Sequence, residues 1–221
     1  MDVSKRIYSI CKYLEGNKLA DIGTDHCHLP IFAIKSGLAS YAIGVDVNAG
    51  PLKSARENVV KEGLAEKIEL RLGYGFKPIE AGECDTAVIS GMGGMLISKI
   101  IEGGLSTALS FKQLILSPQS DAYRLRKSLH KFGFEIYNEN MVKDGGKFYP
   151  LIMAQQGEDC TYSQFNYEFG KITLENPNED FREFLEELWI RNENIINNNS
   201  LTEVRKTEIL EVNKFIKGFL S

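Results

Sequence analysis

The sequence predicts an α/β protein with a mainly parallel sheet, helices on both faces, an antiparallel hairpin as its last two strands and a helical C-terminal region. Three observations support this prediction. Short apolar runs alternate with helix-like stretches up to about residue 155, as in sheets whose strands are joined by crossover helices. Only residues 143–147 separate the last two apolar runs, which leaves room for a turn but not for a helix. Beyond residue 157, apolar residues recur at helical spacing.

Strands are expected where apolar residues follow one another or alternate with polar ones. They fall at residues 18–22, 42–47, 68–72, 86–90, 113–117, 134–142 and 148–155. Helices are expected between them, at residues 29–36, 51–62, 95–102 and 122–132. Pro51 begins the second of these helices, Gly63 ends it and Gly133 ends the fourth, which are the positions that these residue types favour.

Two amphipathic stretches follow the predicted sheet. Residues 197–200 separate them, and Ser200 can cap the second helix. Because an isolated helix of this length is marginal in water, the two helices should pack against each other as an antiparallel hairpin. The chain is therefore expected to contain a sheet domain of residues 1–157 and a helical, coiled-coil-like domain of residues 158–221.

Composition and charge describe an ordinary folded protein, and a cytoplasmic location is expected. The chain has 221 residues, of which 43% are hydrophobic and 25% charged, so it can bury a sizeable core. No apolar stretch approaches the roughly 20 residues of a membrane span, and the N-terminus lacks the apolar core of a signal peptide. A net charge of −4 argues against nucleic-acid binding over the whole surface, although a local basic face would suffice.

No metal site or disulfide framework is predicted. The cysteines are Cys11, Cys27, Cys84 and Cys160. They form no CxxC pair, which argues against a zinc ribbon as well as a disulfide framework. His26 and His28 are separated by two positions, which on a helix turns them apart by about 200°, and no third ligand is evident.

The runs LADIGTDH at residues 19–26 and GVD at residues 44–46 are the most informative feature of the chain. Each places an acid at or near the end of a predicted strand. A glycine turn allows the backbone to approach a nucleoside cofactor closely, and the second acid can bind the ribose hydroxyls. One glycine instead of three argues against a pyrophosphate cradle and favours the Asp/Glu-x-Gly turn of enzymes that use S-adenosylmethionine. Together with the antiparallel last hairpin, this turn is typical of the Rossmann-like class I methyltransferase fold.

The strand ends provide the candidate cofactor-binding residues. Asp46 is expected to accept hydrogen bonds from the ribose hydroxyls, and Asp21 to meet the amino-acid portion of the cofactor. Tyr74 either stacks on the adenine ring or is a loop residue without a role. The full predicted set is Asp21, Gly23, Asp46, Val47, Gly73, Tyr74, Ser90 and Gly91.

The run SGMGG at residues 90–94 follows the fourth strand, where methyltransferases place the group that meets the acceptor. It lacks the Asn/Asp-Pro-Pro sequence that holds an exocyclic amine, so it favours an acceptor atom with a free lone pair, such as a ring nitrogen. Gly93 and Gly94 either leave the backbone open to a flat ring or serve packing alone. Asp25 follows the cofactor turn and is expected beside the cleft in which a substrate would lie.

Several motifs together resemble the bacterial tRNA (adenine-22-N1)-methyltransferases. The run ADIGTDHCHLP at residues 20–30 is similar to that family's ADIGSDHAYLP motif. Four shorter runs resemble its SKRL, GMGG, LQPN and DGKxYE segments, at residues 4–7, 90–94, 116–119 and 145–149. The matches occur in order from residue 4 to about residue 155, and the C-terminal region is similar in kind but not motif by motif.

The resemblance implies methyl transfer from S-adenosylmethionine to N1 of adenosine 22 in the D-arm of tRNA. By position, the family's catalytic aspartate falls on Asp25 and its N-terminal arginine on Arg6. Two residues depart from the family pattern, because Tyr74 replaces an aspartate and His28 replaces a tyrosine. The predicted substrate-binding set is Arg6, His28, Met92, Gly93, Gly94, Arg124, Arg126 and Lys127.

Alternatives remain open from the residues alone. The basic stretch from Arg124 to Lys131 is either an RNA-binding face or a solvated helix face, and the C-terminal helices are either a stabilising appendage or an RNA-gripping arm. The acidic pI of about 5.5 favours a methyltransferase for a small molecule or a protein, and Tyr74 favours a non-catalytic RNA-binding relative. A dehydrogenase is the weakest alternative because its phosphate turn is absent. The expected partner is tRNA, and no membrane association is expected. The oligomeric state stays open, with a monomer favoured.

Overall fold

The computed structural model of the protein describes residues 3–158, 162–197 and 202–221. The strands are β1 (Lys18–Ile22), β2 (Tyr41–Asp46), β3 (Ile68–Leu72), β4 (Thr86–Ser90), β5 (Gln113–Ser117), β6 (Phe134–Asp144) and β7 (Lys147–Gln156). The helices are α1 (Lys5–Cys11), α2 (His28–Lys35), α3 (Ala49–Lys61), α4 (Gly94–Gly103), α5 (Leu105–Ala108), α6 (Ala122–Lys131), α7 (Gln164–Phe169), α8 (Lys171–Glu175), α9 (Glu179–Asn197) and α10 (Glu203–Leu220).

The seven strands form one sheet in the order β3-β2-β1-β4-β5-β7-β6. The pairs among β1 to β5 are parallel, and β7 lies antiparallel to both β5 and β6. The predicted fold is thereby confirmed. The chain crosses from β3 at one edge to β4 beside β1, so the strand order reverses between β1 and β4. In open α/β sheets, ligands bind beyond the carboxyl ends of the strands at such a reversal.

The central strands are buried on both faces, so alternate residues supply two separate cores. Ala20 and Ile22 of β1 belong to one apolar cluster, and Leu19 belongs to the other. In β4, Ile89 joins the first cluster and Val88 the second. This two-sided burial explains the continuous apolar runs from which these strands were predicted.

Helix α1 was not predicted from the sequence. It has seven residues, which is too short to show a clear helical period. The Ser4 hydroxyl caps it by accepting a hydrogen bond from the Ile7 N–H at 3.3 Å, and the Asp144 carboxylate accepts the Arg6 N–H at 3.2 Å. The short helices α5, α7 and α8 were also missed.

The two long C-terminal helices form the antiparallel hairpin that the sequence predicts. The Phe181 ring, near the start of α9, lies 5.9 Å from the Phe219 ring, near the end of α10, and Asn192 donates a buried hydrogen bond to Asn213 at 2.8 Å. Helix α10 is capped by Thr202, whose hydroxyl accepts the Arg205 N–H. The predicted cap Ser200 lies outside the described residues. The division into domains at residue 157 stays a prediction.

None of the helices in the described residues combines the length and the apolar character that a membrane crossing requires.

A buried ion pair attaches the C-terminal region to the sheet. Arg126 Nε of α6 lies 2.7 Å from Glu139 Oε1 of β6, and the two side chains are 2% and 0% exposed. Arg126 also donates to the carbonyl oxygens of Tyr167 and Glu168, and Glu139 accepts the N–H of Ile172. The prediction that Arg126 binds substrate is therefore wrong, because its guanidinium is enclosed and already bonded within the protein.

Replacing Arg126 by methionine should destabilise the protein strongly. The substitution leaves the Glu139 carboxylate buried without its cation, which typically costs about 3–5 kcal/mol. Urea unfolding at equilibrium measures this loss in the free energy of unfolding. Arg124→Met, on an exposed position of the same helix, is the matched control and should change it by less than about 0.5 kcal/mol. Equal effects of the two variants would contradict the anchoring role of Arg126.

Candidate active site

A cleft of about 270 Å³ opens at the carboxyl ends of β1, β2 and β4. Among the predicted cofactor-binding residues it brings together Asp21, Gly23, Asp46, Ser90 and Gly91. Among the predicted catalytic and substrate-binding residues it brings together Asp25, Arg6, His28 and Met92. The cleft lies where the strand order reverses, so the fold and the predicted residues indicate the same position.

The turn after β1 is held against β2 by two backbone hydrogen bonds. The N–H groups of Gly23 and Thr24 both donate to the Val45 carbonyl, at 2.7 and 2.9 Å. Gly23 has a φ of +82°, which favours glycine, and a Cβ there would lie 2.1 Å from Met92 Cε. In the described residues, the space that a side chain at position 23 would fill is occupied only by the flexible end of Met92, which can move aside for a ligand.

Gly44 has a packing role at the site that the sequence analysis did not interpret. A Cβ at Gly44 would lie 2.9 Å from both Thr24 Cγ2 and Leu70 Cδ2. A glycine inside a buried strand is unfavourable unless a neighbour must come close. Here that neighbour is the side chain of the cofactor turn, so Gly44 allows the turn to fold down onto β2.

The two strand-end acids have different environments. Asp46 is half-buried, and its Oδ1 accepts the Asn48 N–H at 2.8 Å. Asp21 is 5% exposed, and burial, with a smaller contribution from the Asp46 charge, raises its pKa from 3.8 to about 6. A buried carboxylate beside a second acid favours a cationic ligand group.

The catalytic candidate Asp25 projects from a strained segment. Asp25 has a φ of +45° and Cys27 a φ of +62°, a region in which each non-glycine residue typically costs about 1–3 kcal/mol. The Asp25 side chain is 65% exposed, and its Oδ1 lies 3.7 Å from His26 Nε2. Strain of this kind concentrates at functional sites, and no residue pattern in this segment predicts it.

Histidines 26 and 28 lie side by side, with ring centroids 5.6 Å apart. Within the described ranges, no group of three or more His, Cys, Asp or Glu side chains could hold a metal ion. Cys160 lies outside those ranges.

Gly93 and Gly94, which follow β4, pack against the loop after β5. The Gly94 N–H donates to the Ser120 carbonyl at 2.8 Å, and a Cβ at Gly94 would lie 2.5 Å from the Asp121 carbonyl oxygen. Gly94 is buried by this contact, so the prediction that it contributes an open surface to the substrate is wrong. A Cβ at Gly93 would lie 3.0 Å from Ser120 Oγ, which leaves Gly93 half-buried in the same contact.

The remaining predicted residues lie outside the cleft. Val47 and Tyr74 are 58% and 40% exposed, and the Gly73 N–H donates to the Asp46 carbonyl at 2.9 Å. These three residues therefore lie beside the cleft, next to the end of β2. Arg124 lines a second cavity of about 410 Å³ over the β5–α6 loop, and the Lys127 ammonium lies 4.5 Å from the centre of the Tyr123 ring. Ligand binding by the exposed residues among them stays a prediction.

The strand order, the antiparallel last hairpin and an acid-glycine turn facing a second acid define a class I methyltransferase fold. Residues 3–152 match the model of the family described as "Methyltransferase domain". The chain belongs to this family.

Particular relatives are similar over most of the chain. The tRNA (adenine(22)-N(1))-methyltransferase of Bacillus subtilis is 35% identical over 174 residues, which cover 78% of this chain and 73% of that relative. The structure of Streptococcus pneumoniae Sp1610 in complex with S-adenosyl-L-methionine is similar, with a TM-score of 0.90, 30% identity and full coverage of both chains. The structure of the B. subtilis M1A22 tRNA methyltransferase TrmK is similar with a TM-score of 0.86 and 29% identity, covering 100% of this chain and 99% of that one.

The raised pKa of Asp21 predicts a pH-dependent stability. As the pH rises from about 4 to about 6, the unfolded chain releases the Asp21 proton before the folded protein does, so ionisation progressively disfavours the folded state. Asp21→Asn should therefore gain stability relative to the parent over this window, by up to about 3 kcal/mol at pH 7. Urea unfolding at pH 4.5, 5.5 and 7 measures the gain, and Ser90→Ala, in the same cleft, serves as a non-titrating control. A pH-independent difference between Asp21→Asn and the parent would refute this account.

Proposed function

We propose that the protein transfers the methyl group of S-adenosylmethionine to N1 of adenosine 22 in the D-arm of tRNA. The observation that carries the proposal is the juxtaposition of Asp25 with the Asp21–Gly23–Asp46 cleft. The 35% identity to the B. subtilis tRNA (adenine(22)-N(1))-methyltransferase supports the choice of substrate.

The cleft residues fit this cofactor chemically. Asp46 is half-buried at the end of β2, where its carboxylate can accept hydrogen bonds from two ribose hydroxyls. The buried carboxylate of Asp21 suits the ammonium of the amino-acid portion, and the bare backbone of Gly23 allows that portion to come close. The cofactor supplies a methyl group already activated by its sulfonium charge.

Asp25 is proposed as the catalytic residue. Adenine N1 is a neutral lone-pair nucleophile, so the protein mainly has to align the nitrogen with the methyl group and the sulfur. Positive charge develops on the ring as N1 becomes methylated. The exposed carboxylate of Asp25 can stabilise that charge through the exocyclic amino group, or take a proton from it.

Basic side chains of α6 and of the cleft are proposed to bind the tRNA backbone. The target base has to leave its stack, which costs a few kcal/mol, and phosphate contacts offset that cost. Arg124 and Lys127 of α6 are exposed, and Arg6 lines the cleft itself. With tRNA as the substrate, we expect the protein to act in the cytoplasm, and as a monomer.

Methylation of unmodified bacterial tRNA tests the proposal directly. The purified protein is incubated with methyl-labelled S-adenosylmethionine and tRNA, the RNA is digested, and the labelled nucleoside is identified. We expect N1-methyladenosine, and no label in a tRNA in which adenosine 22 is replaced by guanosine. Label in protein or in a small molecule instead of RNA would favour a methyltransferase with another acceptor. Cofactor binding without any methyl transfer would favour a non-catalytic relative.

Replacing Asp25 by alanine should slow methyl transfer without weakening cofactor binding. Loss of electrostatic or acid–base assistance typically lowers the rate about 10²–10⁴-fold. Single-turnover rates measure the first effect and calorimetric titration with S-adenosylhomocysteine the second. His26→Ala, which removes the imidazole beside Asp25, shows whether the neighbouring ring contributes. Full turnover of Asp25→Ala would rule out the catalytic role.

Exposed basic residues of α6 should contribute to the salt dependence of tRNA binding. Each lost phosphate contact lowers the slope of log K against log[salt] by about 0.7–1. We expect this change for Arg124→Ala and for Lys127→Ala. Lys18→Ala is the matched control and should keep the parent slope, because Lys18 starts β1 and so lies at the amino ends of the strands, away from the cleft at their carboxyl ends. Parent slopes in both α6 variants would show that α6 is only a solvated helix face.

A further inference from the structure

The Arg6 side chain has unsatisfied hydrogen-bonding groups inside the cleft. Its Nε and Nη1 atoms are buried, and neither has a hydrogen-bond partner among the described residues. Arg6 lines the cleft together with Asp25 and His28. Buried polar groups in folded proteins are nearly always bonded, and a guanidinium can only donate. These N–H groups therefore call for an acceptor that the described chain does not supply.

An aromatic ring holds the guanidinium in place. The Arg6 Cζ atom lies 4.6 Å from the centre of the Tyr149 ring, which is cation–π distance. Tyr149 belongs to β7 and is half-buried. The ring contacts the flat face of the guanidinium and leaves its edge free. The N–H groups along that edge can bind two oxygens of one anion.

The backbone that carries Arg6 is fixed from two other elements. Asp144, at the end of β6, accepts the Arg6 N–H. Asp180 of α9 pairs with the Lys5 ammonium at 2.8 Å and accepts the Lys143 N–H at 2.9 Å. Helix α1 has only seven residues and is too short to be stable alone, so these contacts with the sheet and with α9 determine where Arg6 lies.

The cleft is otherwise acidic, so Arg6 gives it a positive charge that its other residues do not supply. Asp21, Asp25 and Asp46 all line it, so the remaining cleft surface repels anions. A guanidinium is permanently charged and provides a local site for an anion within these acidic surroundings. An oxyanion with two oxygens in one plane fits its fork best.

We propose that Arg6, stacked on Tyr149, is an oxyanion-binding site of the cleft, with Tyr149, Asp144 and Asp180 as its positioning residues. The inference rests on the proposed function, which offers two oxyanions to this cleft: a phosphate diester of the RNA and the carboxylate of the cofactor's amino-acid portion. Asp180 lies in the first turn of α9 and pairs with Lys5, the neighbour of Arg6, so α9 helps to position Arg6 in the cleft.

The ring of Tyr149 is the part to test. Tyr149→Leu removes the stacking surface, whereas Tyr149→Phe keeps it. Three probes separate the two oxyanions: S-adenosylhomocysteine, 5′-methylthioadenosine, which lacks the amino-acid carboxylate, and unmodified tRNA titrated at several salt concentrations. The matched control is Tyr8→Leu, because Tyr8 forms a cation–π pair with Lys12 at the same 4.6 Å on α1 but does not line the cleft.

Tyr149→Leu should weaken the binding of one of the two oxyanions about tenfold. Tyr149→Phe should keep the parent affinity, and Tyr8→Leu should leave all three affinities unchanged. Weaker S-adenosylhomocysteine binding with unchanged 5′-methylthioadenosine binding assigns the carboxylate. Weaker tRNA binding, with a salt slope lower by about 0.7–1, assigns the phosphate. Parent affinity for all three probes, or equal weakening of both nucleosides, overturns the proposal.

A second variant guards against a folding defect. Asp180→Asn keeps the shape of the side chain but removes its charge. It should weaken binding of the same probe as Tyr149→Leu does, but to a smaller extent. Thermal unfolding of each variant shows whether it is folded, and an effect that merely follows the loss of stability overturns the proposal. Carboxylate binding through Tyr149 in a protein that methylates no RNA would leave the oxyanion site standing while the proposed function fails.

Discussion

Parallel pairing of β1 with both β2 and β4 is the constraint on which the site depends. The register sets Asp21 opposite Gly44 and Ile22 opposite Val45, and it aligns Ile22 with Ile89 on the other side. Both N–H groups of the cofactor turn then reach one carbonyl of β2. A slip of one residue would turn every side chain of β1 to the other face. It would therefore break the core and the acid pair together, so burial of the core fixes the chemistry of the cleft.

Around this framework, the cleft concentrates features that destabilise the fold. Asp21 is a carboxyl group that burial disfavours in its charged form, and Asp25 and Cys27 hold left-handed backbone conformations without being glycine. Arg6 has buried N–H groups without a partner in the described chain. Each feature costs stability in the free protein and is suited to a ligand that supplies the missing charge or acceptor. Their coincidence in one cleft is stronger evidence for a binding site than any of them alone.

The order of strands and the acid-glycine turn could be predicted because both are local patterns. Charge alone did not show whether a basic residue lies on the exposed or the buried face of its helix. Arg126 was grouped with Arg124 and Lys127 as a basic stretch, yet it shares its helical face with Ala122, Leu125 and Leu129, at the spacing that marks a buried stripe. That periodicity was the available signal, and its partner Glu139 lies on another element. Helix α1 was not predicted because it has only seven residues and one of its stabilising contacts comes from the distant Asp144.

Among the polar contacts that join the C-terminal helices to the methyltransferase fold in the described residues, two differ clearly in character. The Arg126–Glu139 pair is enclosed, so salt screens it little, and removal of either partner would leave a buried charge. The Lys5–Asp180 pair is partly exposed, with side chains 56% and 18% accessible, and pairs of this kind contribute about 1 kcal/mol or less and weaken in salt. The first tie therefore fixes α7 and α8 on the sheet. The second adds less to the position of α1, which the buried side chains of Ile10 and Cys11 already hold against the core.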